Sequence, residues 1–512
     1  MPAPSFTEFL TLDLLLVITE YLLPEDIISL RKTCRSLLQL TQSRSIWMTA
    51  VRTMCARNLV FRANFDLENM SLDELEHAAT APSRFLRLLH KHASTSQSDV
   101  TIRPLAKRTL VMRLPETVTT SSPLAEHDGF TVICLVPGGR FLAATSERHF
   151  HVWDLGRSGY ERMKPLPIYC RGLRELAGMQ RSDAEPSFAL FTVCESRKAG
   201  KFVAVLTSSS PRSHGALVLE LHFSVVTSDL IGVQTVGIIH LNWKSDTVIM
   251  DVSEDLIILD ENDLDTAVTL IWNYRENALG SLPALDDPPN IPALILTHTS
   301  RRSFLPSGNS VALAYDGRLH VYRIPPLVSV DGPLSSCADL PSAVDYIPII
   351  VLTTDEEDGV WVVRDGWYNR RDAPLSVDRL TSRYRSHLAV AEITTPQSPT
   401  MPDQIPYTVA RFPTLPWLKL FDESMSVAPS EGRNVLAFTD DHSQGVMCAA
   451  YVVSPAEPST PSNLLYLTRE DNVTIADWDF CPASGRVCLV PFQDGRCTEI
   501  IVLDFLVPDR GL

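Results

Sequence analysis

Catalysis by a single chain needs nucleophiles, acids or metal ligands held at fixed spacings, and few residues here meet that need. No HExxH, GxSxG, GxxxxGK[ST] or GxGxxG pattern occurs. His149 and His151 stand two apart, the spacing of a pair sharing one face of a strand, and are read as outward-facing strand positions. Cys481, Cys488 and Cys497 are separated by seven and nine residues, which matches no zinc pattern and suits strand positions instead. Acidic residues crowd two places. Asp251, Glu254, Asp255, Asp260, Glu261, Asp263 and Asp265 form one cluster, and Asp355, Glu356, Glu357 and Asp358 form a loop ahead of Trp361. With Trp361, Trp367 and Tyr368 as aromatic anchors, that loop would suit a basic peptide. The same acids serve equally as solvated turns, and the aromatics as core. Neither a cofactor nor a resident metal is expected.

Composition narrows the partners. The net charge of −16 opposes phosphate backbones, so nucleic acid is not expected and basic partners are favoured. The 512 residues, 45% of them hydrophobic and 21% charged, have the balance of a globular chain of two or three domains. Ten cysteines without a CxxC pair suit reduced thiols, hence cytoplasm or nucleus. The apolar run Leu14 to Ile18 has no basic segment before it and is interrupted by Asp13 and Glu20, so it is not read as a secretion signal. No stretch reaches the roughly eighteen apolar residues of a membrane span. The sequons at Asn69 and Asn472 are then chance matches.

The elements that must carry any binding surface change character near Thr101. From there short β-rich runs alternate with Pro, Gly, Ser and Asp clusters. One unit recurs: an apolar run, a proline turn with glycine, and a second apolar run. It appears as LVPGGRFLAAT at Leu135, FLPSGNSVALAY at Phe304, VAPSEGRNVLAF at Val427 and FCPASGRVCLV at Phe480. Each reads as a β-hairpin whose turn uses glycine for positive φ. The turn prolines at 137, 306, 429 and 482 lie 169, 123 and 53 residues apart. Spans of three, two and one units give a period near 53 to 62 residues and seven units in all, with weaker copies at Ser187–Phe223, Val236–Tyr274 and Ile347–Ile393. Trp153-Asp154 has the form that closes the third strand of a WD repeat, and Trp272 and Tyr322 sit in degenerate versions of it. The fold class expected is therefore α+β multidomain: helices first, then an all-β propeller of seven blades, though a pair of β-sandwiches or an irregular β-solenoid would share the alternation. The Pro-rich segments at Thr394–Tyr407 and Ile324–Leu334 read as inter-blade insertions.

Before Thr101 the period is helical. Leu10, Leu14, Ile18 and Leu22 recur every four residues, Pro24 opens a second helix with Glu25 and Asp26 in its first turn, and Ile27, Leu30, Cys34 and Leu37 continue the stripe. Some forty residues cannot bury that much apolar surface alone, which predicts a covering partner. Helix continues past Trp47, resumes behind a capping box at Ser71 and Glu74, and forms again over Ser83–His92, ending at a spacer, Ala93–Asp99.

The segment Leu10–Trp47 resembles the F-box, with Leu10, Asp13, Ile18, Tyr21, Leu22, Pro24, Asp26, Ile27, Leu30, Cys34, Arg35, Leu37, Leu40 and Trp47 at the matching positions. Thr11 departs from the Leu-Pro with which the family usually starts. The resemblance implies docking on the Skp adaptor, and through it on a cullin, by Leu10, Leu14, Ile18, Leu22, Pro24, Ile27, Leu30, Cys34 and Leu37. Together with the helical and β-rich patterns that follow, it gives three expected parts: an F-box at 1–50, a helical linker at 51–98 and a propeller-like domain at 99–512. The chain would make no bond itself and would act as the substrate-recognition subunit of an SCF-type ubiquitin ligase, holding a protein substrate on the propeller. Two other readings stay open: a scaffold that binds a Skp subunit without delivering substrates, and an enzyme built on a propeller.

Overall fold

The computed structural model describes residues 12–93, 101–111, 129–157, 166–178, 187–196, 200–210, 213–224, 226–241, 247–253, 255–261, 269–282, 301–304, 310–315, 318–330, 350–353, 360–363, 375–381, 387–393, 407–411, 425–430, 433–439, 445–452, 465–469, 473–493 and 495–506. A helical region comes first. It comprises α1 (Leu12–Glu20), α2 (Pro24–Arg31), α3 (Arg35–Thr41), α4 (Arg44–Arg57), a 3₁₀ turn (Arg62–Asn64) and α5 (Leu72–Ala93).

Local chemistry explains most of these boundaries. Pro24 opens α2, where its missing N–H is no loss, and the Asp26 carboxylate accepts from the Leu23 amide. The apolar stripe does not run on unbroken through Cys34, because Cys34 is fully extended (φ −157°, ψ 162°) and starts a third short helix. Leu59, with φ 53°, turns the chain out of α4. The capping box forms as expected, with the Ser71 amide on Glu74 at 2.6 Å and the Glu74 amide on the Ser71 hydroxyl at 3.3 Å. The two helices expected after it are one, since α5 continues through Pro82. Around that proline, hydroxyls of Thr80 and Ser83 bond the carbonyls of Glu76 and Thr80.

The rest of the described chain is almost all antiparallel sheet, with seven sheets among the described residues. The first runs Phe130–Leu135, Phe141–Ser146, His149–Asp154, Tyr169–Gly172, with neighbours in sequence order. The second, fourth, fifth and sixth repeat this four-strand order at Ser187–Leu241, Arg301–Thr353, Val360–Arg411 and Met425–Arg469. The third, Thr247–Leu282, adds Val328–Ser329 at its edge. In the seventh, Thr474–Cys481, Arg486–Phe492 and Glu499–Asp504 are joined by Ala106–Val111 from the other end of the sequence.

The four proline-glycine hairpins each link the first two strands of a sheet: the first, fourth, sixth and seventh. Three, two and one sheets therefore separate the successive turns. Trp153, Trp272 and Tyr322 all lie on third strands. The second of the weaker copies, Val236–Tyr274, straddles the second and third sheets, and the third, Ile347–Ile393, the fourth and fifth.

Helices and sheets share their cores. Phe61 is fully buried and meets Phe202 and Phe223 edge-on at 5.5 Å, while Phe85 lies 6.4 Å from Phe505. The turn Pro137–Gly138–Gly139 is one contact: the Pro137 carbonyl accepts from the Phe61 amide at 2.9 Å and from Asn64 Nδ2 at 2.6 Å. Gly138 has φ +111°, and a Cβ there would lie 1.9 Å from Asn64 Nδ2. Gly138→Ala should destabilise the chain by about 2 to 4 kcal/mol in urea unfolding, combining backbone strain with a steric conflict. Gly178→Ala, at φ +65° with open space around it, should cost only about 1 kcal/mol.

Candidate functional site

Leu14, Val17, Ile18 and Tyr21 recur at helical spacing along α1 and its end and are 51%, 52%, 40% and 85% exposed; Leu38 on α3 adds 37%. So much apolar surface around one short helix is unusual for a chain that stands alone. Beneath it the helices are well held. α1 packs on α4, and Ile27, Leu37, Ile46, Trp47, Val51 and Met54 form the buried floor.

Arg31 organises that floor. It reaches both carboxylate oxygens of Glu76 on α5 at 2.6 and 2.9 Å, donates to the Thr41 carbonyl at 3.1 Å, and lies 5.3 Å from the centre of the Trp47 ring. Trp47 Nε1 donates to the same carbonyl at 2.8 Å. Arg44 donates to the carbonyls of Leu67, Glu68 and Met70, and a second ion pair joins Arg87 to Glu25 at 3.0 Å. The apolar face is thus mounted on the long helix by charged brackets.

The nine residues expected at an adaptor contact divide. Leu14, Ile18 and Cys34 are exposed, and Leu22 and Leu30 are half-buried. Pro24, Ile27 and Leu37 are buried in the packing of the helical region. Leu10 lies outside the described residues. The sequence reading omits Val17, which the i, i+3, i+4, i+7 pattern of α1 places beside Leu14 and Ile18. Leu38 carries no such signal, because the break at Cys34 resets the helical phase.

The acidic, aromatic surface cannot be placed in full. Asp355 to Asp358, Trp367 and Tyr368 lie outside the described residues, and Trp361 stands in the strand Val360–Val363, opposite Arg379. In the other cluster, Asp251 and Asp260 are buried, and Asp255 pairs with Arg275. These three serve the sheet rather than an acidic rim. The outward histidines need a correction too: His151 is buried and stacks on Trp153 at 5.1 Å, while His149, on the same face, is half-buried. Cys481 and Cys488 are buried strand thiols, raised in pKa by burial, whereas Cys497 falls outside the strands. Among the described residues no group of three His, Cys, Asp or Glu side chains is arranged to hold a metal ion, and no helix is long and apolar enough to cross a membrane.

Charge is instead concentrated between sheets. Glu220 accepts from Arg275 at 2.8 Å, Lys201 at 3.1 Å and His222 at 2.8 Å; burial works against its ionisation, and these donors overcome it and lower its pKa to about 2. Where the first and seventh sheets meet, Asp477 and Asp479 accept from the amides of Ile133 and Leu135 at 2.6 Å each. Burial pushes Asp477 up to about 7, against the amides of Ile133 and Trp478 that favour its ionised form. A carboxyl raised in the folded state favours folding at low pH and loses that contribution as pH rises through the folded value. Asp477→Asn should therefore match the wild type near pH 4, gain on it by up to about 1.4 kcal/mol per pH unit between about pH 4 and pH 7, and hold that gain unchanged above pH 7 in urea unfolding.

No protein-family model matches the chain, and no curated protein matches it. Among solved structures it is similar to a chain of the polycomb repressive complex 2 from Chaetomium thermophilum, with 11% identity over 80% of this chain and 99% of that one and a TM-score of 0.42. It is similar to the β-propeller domain of Nup133 from Vanderwaltozyma polyspora, with 9% identity over 78% and 97% and a TM-score of 0.42. It is also similar to the WD40 domain of SCAP from fission yeast, with 9% identity over 74% and 82% and a TM-score of 0.37.

Proposed function

We propose that this chain is the substrate-recognition subunit of an SCF-type ubiquitin ligase, acting in cytoplasm or nucleus. Its helical region docks on the Skp adaptor, and its seven sheets stand as the blades of a propeller that holds a protein substrate. The observation that carries the reading is the apolar face of Leu14, Val17, Ile18, Tyr21 and Leu38, set on a rigid base within the segment that resembles the F-box. Such a face buried in an interface supplies affinity through apolar area, with a few residues dominating. The chain itself would contribute proximity alone, bringing a bound protein to a charged conjugating enzyme.

The test is reconstitution. The full chain is mixed with a Skp adaptor, a cullin with its RING subunit, the ubiquitin-activating and conjugating enzymes, and proteins captured by the chain from lysate. Adaptor binding together with cullin-dependent ubiquitination of a captured protein supports the proposal. Adaptor binding without any such modification would favour a scaffold, and no adaptor binding would end the ligase reading.

A further inference from the structure

We propose that residues 58–93 form a strap across the junction of the first and seventh sheets, so that the junction opens only when the helical region lifts off. The geometry centres on the turn Pro137–Gly138–Gly139, which is gripped from both sides. From the helical side, the Pro137 carbonyl accepts from Phe61 and Asn64, and Arg140, just beyond the turn, reaches the Asn64 carbonyl at 3.5 Å. From the seventh sheet, the Gly138 amide donates to Cys481 Sγ at 3.1 Å and the Gly139 carbonyl accepts from Arg486. The two grips fall on three consecutive residues, and the Pro137 carbonyl and the Gly138 amide belong to one peptide group.

The same pattern extends along the junction. Arg486 also donates to the Gly156 carbonyl at 3.1 Å, and Arg108, on the strand that joins the seventh sheet, donates to the Leu155 carbonyl at 3.0 Å. Directly after these, Arg157 pairs with Glu74 of α5 at 3.3 Å. At the other end, Phe85 of α5 packs on Phe505, and the amide of Phe505 donates to the carbonyl of Gly485, the turn glycine of the seventh sheet. The strap is therefore tied to the first sheet at Pro137 and Arg157, each next in sequence to a residue that bonds the seventh sheet, Gly138 and Gly156, and to the seventh sheet at Phe505. Since α5 carries Glu76, the bracket for Arg31, the helices that bear the exposed apolar face lie in the same mechanical path. Coupling of this kind is reciprocal by thermodynamic necessity. It does not depend on which partner covers α1.

Amide hydrogen exchange on the full chain tests the strap with one variant on each side. Asn64→Ala removes the side-chain bond to Pro137 without altering the turn, and Asp479→Ala removes the bond to the Leu135 amide without touching the helices. Each is expected to speed exchange at least tenfold in both 72–93 and the junction strands 130–135 and 474–481, with 256–273 of the third sheet unchanged. An effect confined to the side of the substitution would overturn the proposal, and so would equal acceleration in the third sheet. Should either variant fail to fold, the wild type in sub-denaturing urea gives the answer: the strap and the junction should share one opening free energy and one urea dependence. Separate values would overturn it.

Discussion

A chain carrying Leu14→Asp and Ile18→Asp should lose at least a hundredfold in affinity for the Skp adaptor while its unfolding by urea stays where it was. Both side chains are about half exposed in the free protein, so an aspartate at either position meets water and costs the fold little, within about 0.5 kcal/mol each. In a complex the same carboxylates would sit unpaired in an apolar interface, a penalty of about 2 to 5 kcal/mol each. A hundredfold loss needs only about 2.7 kcal/mol, so even the lower figure for two residues exceeds it. Titration calorimetry reads the affinity and circular dichroism the fold. Ile27→Asp is the informative contrast: Ile27 is 0% exposed, so this variant should lose both binding and helix content. Undiminished binding by the Leu14 and Ile18 double variant would remove α1 from the interface.

Asp504→Leu should be among the most damaging single substitutions, costing about 3 to 5 kcal/mol. Asp504 takes Arg486 at 2.6 Å and Arg108 at 2.6 Å, and Arg486 is 1% exposed. Removing the carboxylate leaves one guanidinium deep in the protein and a second beside it, with no anion between them. Burial and the neighbouring Arg486 already lower the pKa of Arg108, so the site has little tolerance for losing negative charge. Replacing Arg486 as well, in an Arg486→Met and Asp504→Leu double variant, should recover about half of the loss, because the most deeply buried charge goes with it. Urea unfolding followed by tryptophan fluorescence distinguishes these outcomes. Equal stability of the two variants would mean that the cost lies in packing rather than in unpaired charge.

Much of the sheet architecture is legible in the sequence because a hairpin announces itself locally. The apolar runs at Leu135, Phe304, Val427 and Phe480, each with proline and glycine in the turn, mark where a sheet's first two strands join. The Gly-Arg in the turns at Leu135 and Phe480 has a meaning that local reading misses. Arg140 pairs with Asp154 and Arg486 with Asp504, each arginine reaching across to the acid that ends the third strand of its own sheet. In these two sheets the turn and the strand end are two halves of one buried ion pair. The helical face is less legible. Periodicity puts Ile27 and Leu37 in the same stripe as Leu14 and Ile18, yet the first pair is buried and the second exposed, because breaks after Glu20 and at Cys34 divide the stripe among three short helices. Hydrophobic spacing marks which residues need burial. Whether the cover comes from the chain itself or from another protein is decided by backbone turns of one or two residues.

The pairing of Ala106–Val111 with Glu499–Asp504 has a consequence for synthesis. On the ribosome, roughly 400 residues must follow the first of these strands before its partner emerges, which at about 5 to 20 residues per second takes roughly 20 to 80 seconds. Through that interval the strand is an open edge, free to pair with other nascent chains. A stop codon just ahead of Glu499 would leave it open for the life of the protein.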